Sequence, residues 1–107
     1  MPFTEKPWDG SASRYRDTDE YCRACLIDVN PPGEDKTQAK CKLPIKEPDG
    51  TYNKNALRAA AAALLGARGG VEAPQDEKRK AARKLLRLMK EAGMEAGESL
   101  RRLAGEL

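Results

Sequence analysis

The stretch Asn53-Lys54-Asn55-Ala56-Leu57-Arg58-Ala59-Ala60-Ala61-Ala62-Ala63-Leu64-Leu65-Gly66 decides the fold. Alanine is the best helix former, because it loses no side-chain freedom on entering a helix. Asn53 or Asn55 supplies the side-chain oxygen that caps the first free N–H groups. A helix is therefore expected over residues 56–65. Arg58 is its only charge, which predicts close neighbours on most of its sides. Gly66 is tolerated near its end, and Gly69-Gly70 is expected to provide the left-handed C-cap.

Downstream, Pro74 precedes a second helix expected over residues 75–92, with Asp76 and Glu77 in its first turn, where acids favour the helix dipole. At 100° per residue, Ala81, Ala82, Leu85, Leu86, Leu88, Met89 and Ala92 fall on one arc. Arg79, Lys80, Arg83, Lys84, Arg87 and Lys90 fall on the opposite one. This helix is expected to pack on the alanine-rich one through Leu85, Leu86 and Met89. Gly93 ends it. A short last helix, capped by Ser99 or Glu98, spaces Leu100, Leu103 and Leu107 along one side.

Upstream, Asp17 or Thr18 starts a helix whose first turn holds Asp19 and Glu20. Tyr21, Ala24, Cys25 and Leu26 are expected on its inner face, and Asn30-Pro31-Pro32-Gly33 stops the chain from continuing. Lys40-Cys41-Lys42-Leu43-Pro44-Ile45-Lys46 alternates charged and apolar residues, the period of a strand, with Leu26–Val29 as its partner. Pro44 cannot donate to a ladder, so that strand is short and at an edge. Pro48-Asp49-Gly50 reads as a turn. Residues 1–13 read as a loose, flexible segment in which only Trp8 demands burial. The expected architecture is mainly α: three or four helices in a small bundle with a minimal two-stranded β element. A globular region over residues 14–92 is followed by a short, mobile C-terminal helix within 93–107.

Composition agrees with a thin core. Leu, Ile, Val and Phe supply 16 of 107 residues and alanine another 16. That is about 15% of the chain in strong core formers, below the roughly 20% at which disorder becomes a concern. The net charge of only +3 removes the second condition for disorder. Residues 1–52 carry 8 basic and 10 acidic side chains, and residues 53–107 carry 12 and 7. There is no histidine, which excludes Ser-His-Asp and Cys-His catalysis, His-ligated zinc and imidazole switching. No apolar run spans a bilayer, and Met1–Lys6 lacks the apolar segment of a signal peptide. Three cysteines are an odd set for a disulfide framework, so the chain is expected to be cytoplasmic with reduced thiols.

Three groups of residues invite chemistry. Cys22 and Cys25, three apart on a helix, present both sulfurs to one side, and Cys41 joins them if residues 40–46 pair with 26–29. Zinc on Cys22, Cys25 and Cys41 would need Asp19 or Asp28 as its fourth ligand. The preferred reading is three small packed side chains with no metal and no cofactor. Seven Lys and Arg residues between 78 and 90 have no intervening acid. Like charges at i, i+4 cost a helix a few tenths of a kcal/mol each, so Arg79, Lys80, Arg83, Lys84, Arg87 and Lys90 are candidates for contact with nucleic acid or an acidic protein partner. Asp17, Asp19 and Glu20 are explained by helix capping. With no phosphate loop, dinucleotide fingerprint or nucleophile elbow, no catalytic or cofactor-binding residue is named and the chain is not expected to be an enzyme.

Trp8-Asp9-Gly10-Ser11-Ala12, Cys25-Leu26-Ile27-Asp28, Cys41-Lys42-Leu43-Pro44, Asp49-Gly50-Thr51 and the run Asn53–Gly70 resemble a small module of phage and prophage proteins. The group occurs as a short stand-alone protein and as a segment appended to head-maturation (prohead) protease polypeptides, and the resemblance spans roughly residues 8–90. It implies a phage context and partners among structural or maturation proteins, and it names no chemistry. The expected function is a non-enzymatic interaction module acting in head assembly or maturation. The alternative is a nucleic-acid-binding accessory protein that uses the basic face of helix 75–92.

Overall fold

A computed structural model describes residues 3–106, except the side chain of Arg68. In chain order the elements are β1 (Phe3–Thr4), α1 (Thr18–Arg23), β2 (Cys25–Asp28), β3 (Cys41–Pro44), β4 (Tyr52–Asn53), α2 (Lys54–Leu64), α3 (Gln75–Glu91) and α4 (Glu98–Leu103). Short 3₁₀ turns occupy Ala12–Arg14, Gln38–Lys40 and Ala67–Gly69. Helix predominates, as expected, and four α-helices are present among the described residues.

The strands contribute more than the single minimal element expected. β2 and β3 pair antiparallel, with Cys25 opposite Pro44, Ile27 opposite Lys42 and Asp28 opposite Cys41. β1 pairs parallel with β4, Phe3 beside Tyr52 and Thr4 beside Asn53. Asn55 extends this tie by donating its side-chain amide to the backbone oxygens of Glu5 and Lys6. The start of the described chain, read as loose, thus forms backbone and side-chain contacts at the head of α2.

Asn53 caps α2, its Oδ1 accepting from the N–H groups of Asn55 and Ala56 at 2.8 and 3.1 Å. The helix stops earlier than Gly69-Gly70 would allow. Leu65 is the C-cap and Gly66, at φ +104°, takes the left-handed position. The first glycine after the alanine run takes that conformation because it meets no Cβ penalty there. α3 follows Pro74 and covers the expected span. α4 starts from Gly97 with no side-chain cap, rather than from Ser99 or Glu98. Glu98 instead pairs with Arg102 one turn on. Leu100 is buried and Leu103 half-buried; Leu107 lies outside the described residues.

α1 is shorter than expected. It ends at Arg23, and Cys25 and Leu26 belong to β2. The reason is tertiary: in β2, Cys25 and Ile27 are buried while Leu26 and Asp28 are half-buried. That alternation suits a strand whose backbone groups find a ladder in β3. Of the expected inner face, Ala24 is buried as the C-cap and Tyr21 is half-buried. Cys22 is the buried residue within the helix itself.

One core joins Ile27, Ile45 and Tyr52 to Leu57, Ala60 and Leu64 of α2, to Ala81, Ala82, Leu85, Leu88 and Met89 of α3, and to Leu100 and Ala104 at the C-terminal end. Leu57, Ala82, Leu85 and Ala104 have no accessible surface. A smaller cluster holds Cys22, Cys25 and Cys41 against Tyr21.

Candidate functional site

The outer face of α3 concentrates positive charge. Arg79, Lys80, Arg83, Arg87 and Lys90 are exposed, as the helical period requires. Lys84 is half-buried, and burial, with Lys46 and Arg87 nearby, holds its ammonium below the usual lysine range. Lys80 pairs with Glu77 at 3.1 Å. Arg83 is anchored, its Nε donating to the Ala104 carbonyl at 2.9 Å. That bond ties the middle of α3 to the end of α4.

α4 turns back along α3 through Ala92–Gly97, and the angle between them opens a groove of about 720 Å³. Arg83, Arg87, Lys90 and Arg101 supply its cations, and Leu86, Met94 and Ala96 give it an apolar floor. Glu95 and Glu106 also line it. Leu86, expected to join Leu85 and Met89 in the helix contact, packs only partly against the core and faces this groove. Arg101, Met94 and Ala96 carried no signal of their own, because their position depends on how α4 folds back.

A second groove, of about 610 Å³, lies beside α2. Trp8, Leu43 and Pro44 line it together with Ala59, Ala62 and Ala63. The alanine helix is therefore not covered on most sides: Ala56, Leu57, Ala60 and Leu64 face the core, while Ala59 and Ala62 are exposed. A helix on one side of a small domain has only one core to face. Trp8 is half-buried, with the Arg14 guanidinium 5.7 Å from its ring centre. Gly10 fits between Trp8 and Pro44, where a Cβ would approach the indole nitrogen to 3.2 Å. Leu43 holds a left-handed φ of +63°, the one non-glycine among the described residues to do so.

The cysteines are not three free thiols. Cys22 and Cys41 form a disulfide, with Cα atoms 5.3 Å apart and a sequence separation of 19. Pairing Asp28 with Cys41 carries the Cys41 sulfur to the side of α1 where Cys22 points. Counting cysteines alone could not show this. Cys25 stays free and buried, and its thiol is pushed up to about 12 by burial. Asp28 adds to that rise, while a hydrogen bond with Tyr21 opposes it. Cys25 is thus a thiol rather than a thiolate at neutral pH. Tyr21 is raised to about 12 by burial as well.

The acids at α1 serve its cap. Asp17 accepts from the Glu20 N–H at 2.8 Å, and Glu20 accepts from the Arg16 N–H at 2.8 Å. The buried polar centre lies elsewhere and had no sequence signal. The Glu47 carboxylate, 7% exposed, takes an ion pair from Arg14 and a 2.7 Å hydrogen bond from the fully buried Asn53 amide. Burial alone would raise Glu47, but Arg14 and Asn53 outweigh it and hold the carboxyl below its usual value.

No helix among the described residues is long and apolar enough to cross a membrane. Comparison with protein-family models, with curated proteins and with solved structures finds no match to this chain.

Proposed function

We propose that this protein is a cytoplasmic, non-enzymatic interaction module of phage or prophage origin, and that the groove between α3 and α4 receives an acidic, partly apolar segment of a head-assembly or maturation protein. The observation that carries this reading is the pairing of four cations, Arg83, Arg87, Lys90 and Arg101, with an apolar floor of Leu86, Met94 and Ala96. Protein partners bury apolar anchors inside a charged rim, and rim charges set encounter rate and register. The phage context rests on the resemblance of the Trp8–Gly70 strings. The test is retention, by the immobilised protein, of the capsid, scaffold and protease proteins encoded beside it. At least one is expected to be retained and to be released by Arg87→Glu combined with Lys90→Glu. Retention of none, or retention indifferent to the charge reversal, overturns the proposal.

The run of exposed cations on α3 favours a second reading, contact with nucleic acid phosphates. Glu95 and Glu106 in the groove oppose a polyanion there, so the second reading places phosphates along the outer edge at Arg79, Arg83 and Arg87. Binding to random duplex DNA would then weaken by on the order of a hundredfold between about 50 and 200 mM salt. No binding at low salt dismisses it.

A further inference from the structure

The corner where α1 meets β2 and β3 gathers more donor chemistry than a disulfide requires. The sulfurs of Cys22 and Cys41 and a carboxylate oxygen of Asp28 all lie within 4.8 Å of one another. A tetrahedral zinc with bonds of about 2.0–2.3 Å places its ligand atoms roughly 3.6–3.8 Å apart. Reduction frees the two bonded sulfurs to separate toward that spacing, with the Asp28 carboxylate already beside them.

The surroundings of these atoms are also those of a metal site. The Asn30 side-chain amide lies 2.8 Å from Asp28 Oδ1 and 3.3 Å from Cys41 Sγ, so one group orients two of the three donors. The Asn30 backbone N–H holds the same Oδ1 at 2.9 Å, and Thr37 fixes the amide by donating its own N–H to Asn30 Oδ1 at 2.7 Å. Lys36 pairs with Asp28 Oδ2. Ligating carboxylates and thiolates are characteristically held by such outer hydrogen bonds. The charges also close: two thiolates and a carboxylate against a zinc dication and the Lys36 ammonium leave the corner neutral.

We propose that reduction of the Cys22–Cys41 disulfide converts this corner into a zinc site, with Cys22, Cys41 and Asp28 as ligands and water in the fourth position. A cellular dithiol is the reductant. Its two S–H bonds give way to one S–S bond, while the Cys22–Cys41 bond breaks and two thiols form, a transfer of two electrons and two protons. Zinc then displaces both thiol protons to solvent as two Zn–S bonds and one Zn–O bond form. Cys25 packs in the same cluster but lies outside the group of converging donors, so it is not a ligand. Of the set read from the sequence, Cys22, Cys25 and Cys41 with Asp19 or Asp28, this one keeps Cys22, Cys41 and Asp28 and leaves out Cys25.

The test uses the full chain, reduced with dithiothreitol, desalted under nitrogen, given zinc and read by native mass spectrometry. One zinc per reduced chain is expected, lost on adding EDTA, with none on the oxidised chain. Asn30→Ala should weaken zinc binding by about 10–100-fold, and Asp28→Asn by at least as much, while Cys25→Ser leaves it unchanged. Circular dichroism of each reduced variant establishes that it is folded. Absence of zinc on the folded reduced chain overturns the site. Loss of zinc in Cys25→Ser with retention in Asp28→Asn overturns the ligand set. Zinc at this corner of the oxidised chain overturns the dependence on reduction.

Discussion

Among the described residues, Glu47 and Asn53 are the buried polar and charged side chains, and the Asn53 amide donates to the Glu47 carboxylate. Asn53 also caps α2 and donates to the Lys6 carbonyl at 3.1 Å, so one amide joins the chain start, the turn after β3 and the head of a helix. The cap was legible, because asparagine before an alanine run has a mechanism. The buried carboxylate was not, because its burial depends on Arg14, which lies far away in sequence. Its lowered value has a consequence for pH. The folded form holds the proton less tightly than the unfolded chain, so its stabilisation is present above the ordinary carboxyl value of 4.5 and is lost as pH falls through the lowered folded value. Asp17, Asp28 and Asp49 are lowered too. Glu47→Gln is therefore expected to flatten, but not abolish, the loss of stability below pH 4.5. Urea midpoints taken from neutral pH down through the carboxylate range check this; an unchanged acid limb would mean that the Arg14 pair adds nothing.

At the scale of elements, α2 and α3 follow their periodicity and α1 does not. Leu85, Leu88 and Met89 are buried and Arg79, Arg83 and Arg87 exposed as a 3.6-residue repeat demands. α1 is too short for periodicity to place its end, and pairing with β3 decided it. The end of α2 gives a clean test of backbone conformation. Gly66 sits at φ +104°, and a Cβ built there meets nothing within 4 Å. Gly66→Ala therefore carries only the left-handed penalty, about 1–2 kcal/mol, with no packing gain to offset it. Urea denaturation should show that loss with an unchanged m-value. A neutral or stabilising result would mean that the helix end relaxes into another cap.

For the whole molecule, the disulfide adds a covalent constraint outside the main core. It fastens α1 to β3 across the exposed 31–40 loop, closing a span of 19 residues. A loop of that size is worth about 3 kcal/mol through restriction of the unfolded chain. In metal-free buffer, reduction should lower stability by that order and leave the α2–α3–α4 core folded. Coincident urea curves with and without reductant would contradict it. Alkylation of the folded oxidised protein should leave Cys25 unmodified, since burial keeps it a thiol and out of reach.

The amino-acid sequence by itself determined the helical half of this protein. An uninterrupted alanine run, a glycine after it, a proline before α3 and an amphipathic repeat are local signals, and propensity, capping and periodicity act within a few residues. It also pointed to the strand pairing near Cys41, because Leu26–Val29 was the plausible partner for the alternating stretch 40–46. Tertiary structure alone decided the rest. The β1–β4 pair, the Arg14–Glu47–Asn53 centre, the Cys22–Cys41 bond and the groove against α4 each join residues distant in the chain. In a core with so few large side chains, such contacts are chosen by which elements can share one small apolar surface, and no local pattern encodes that choice.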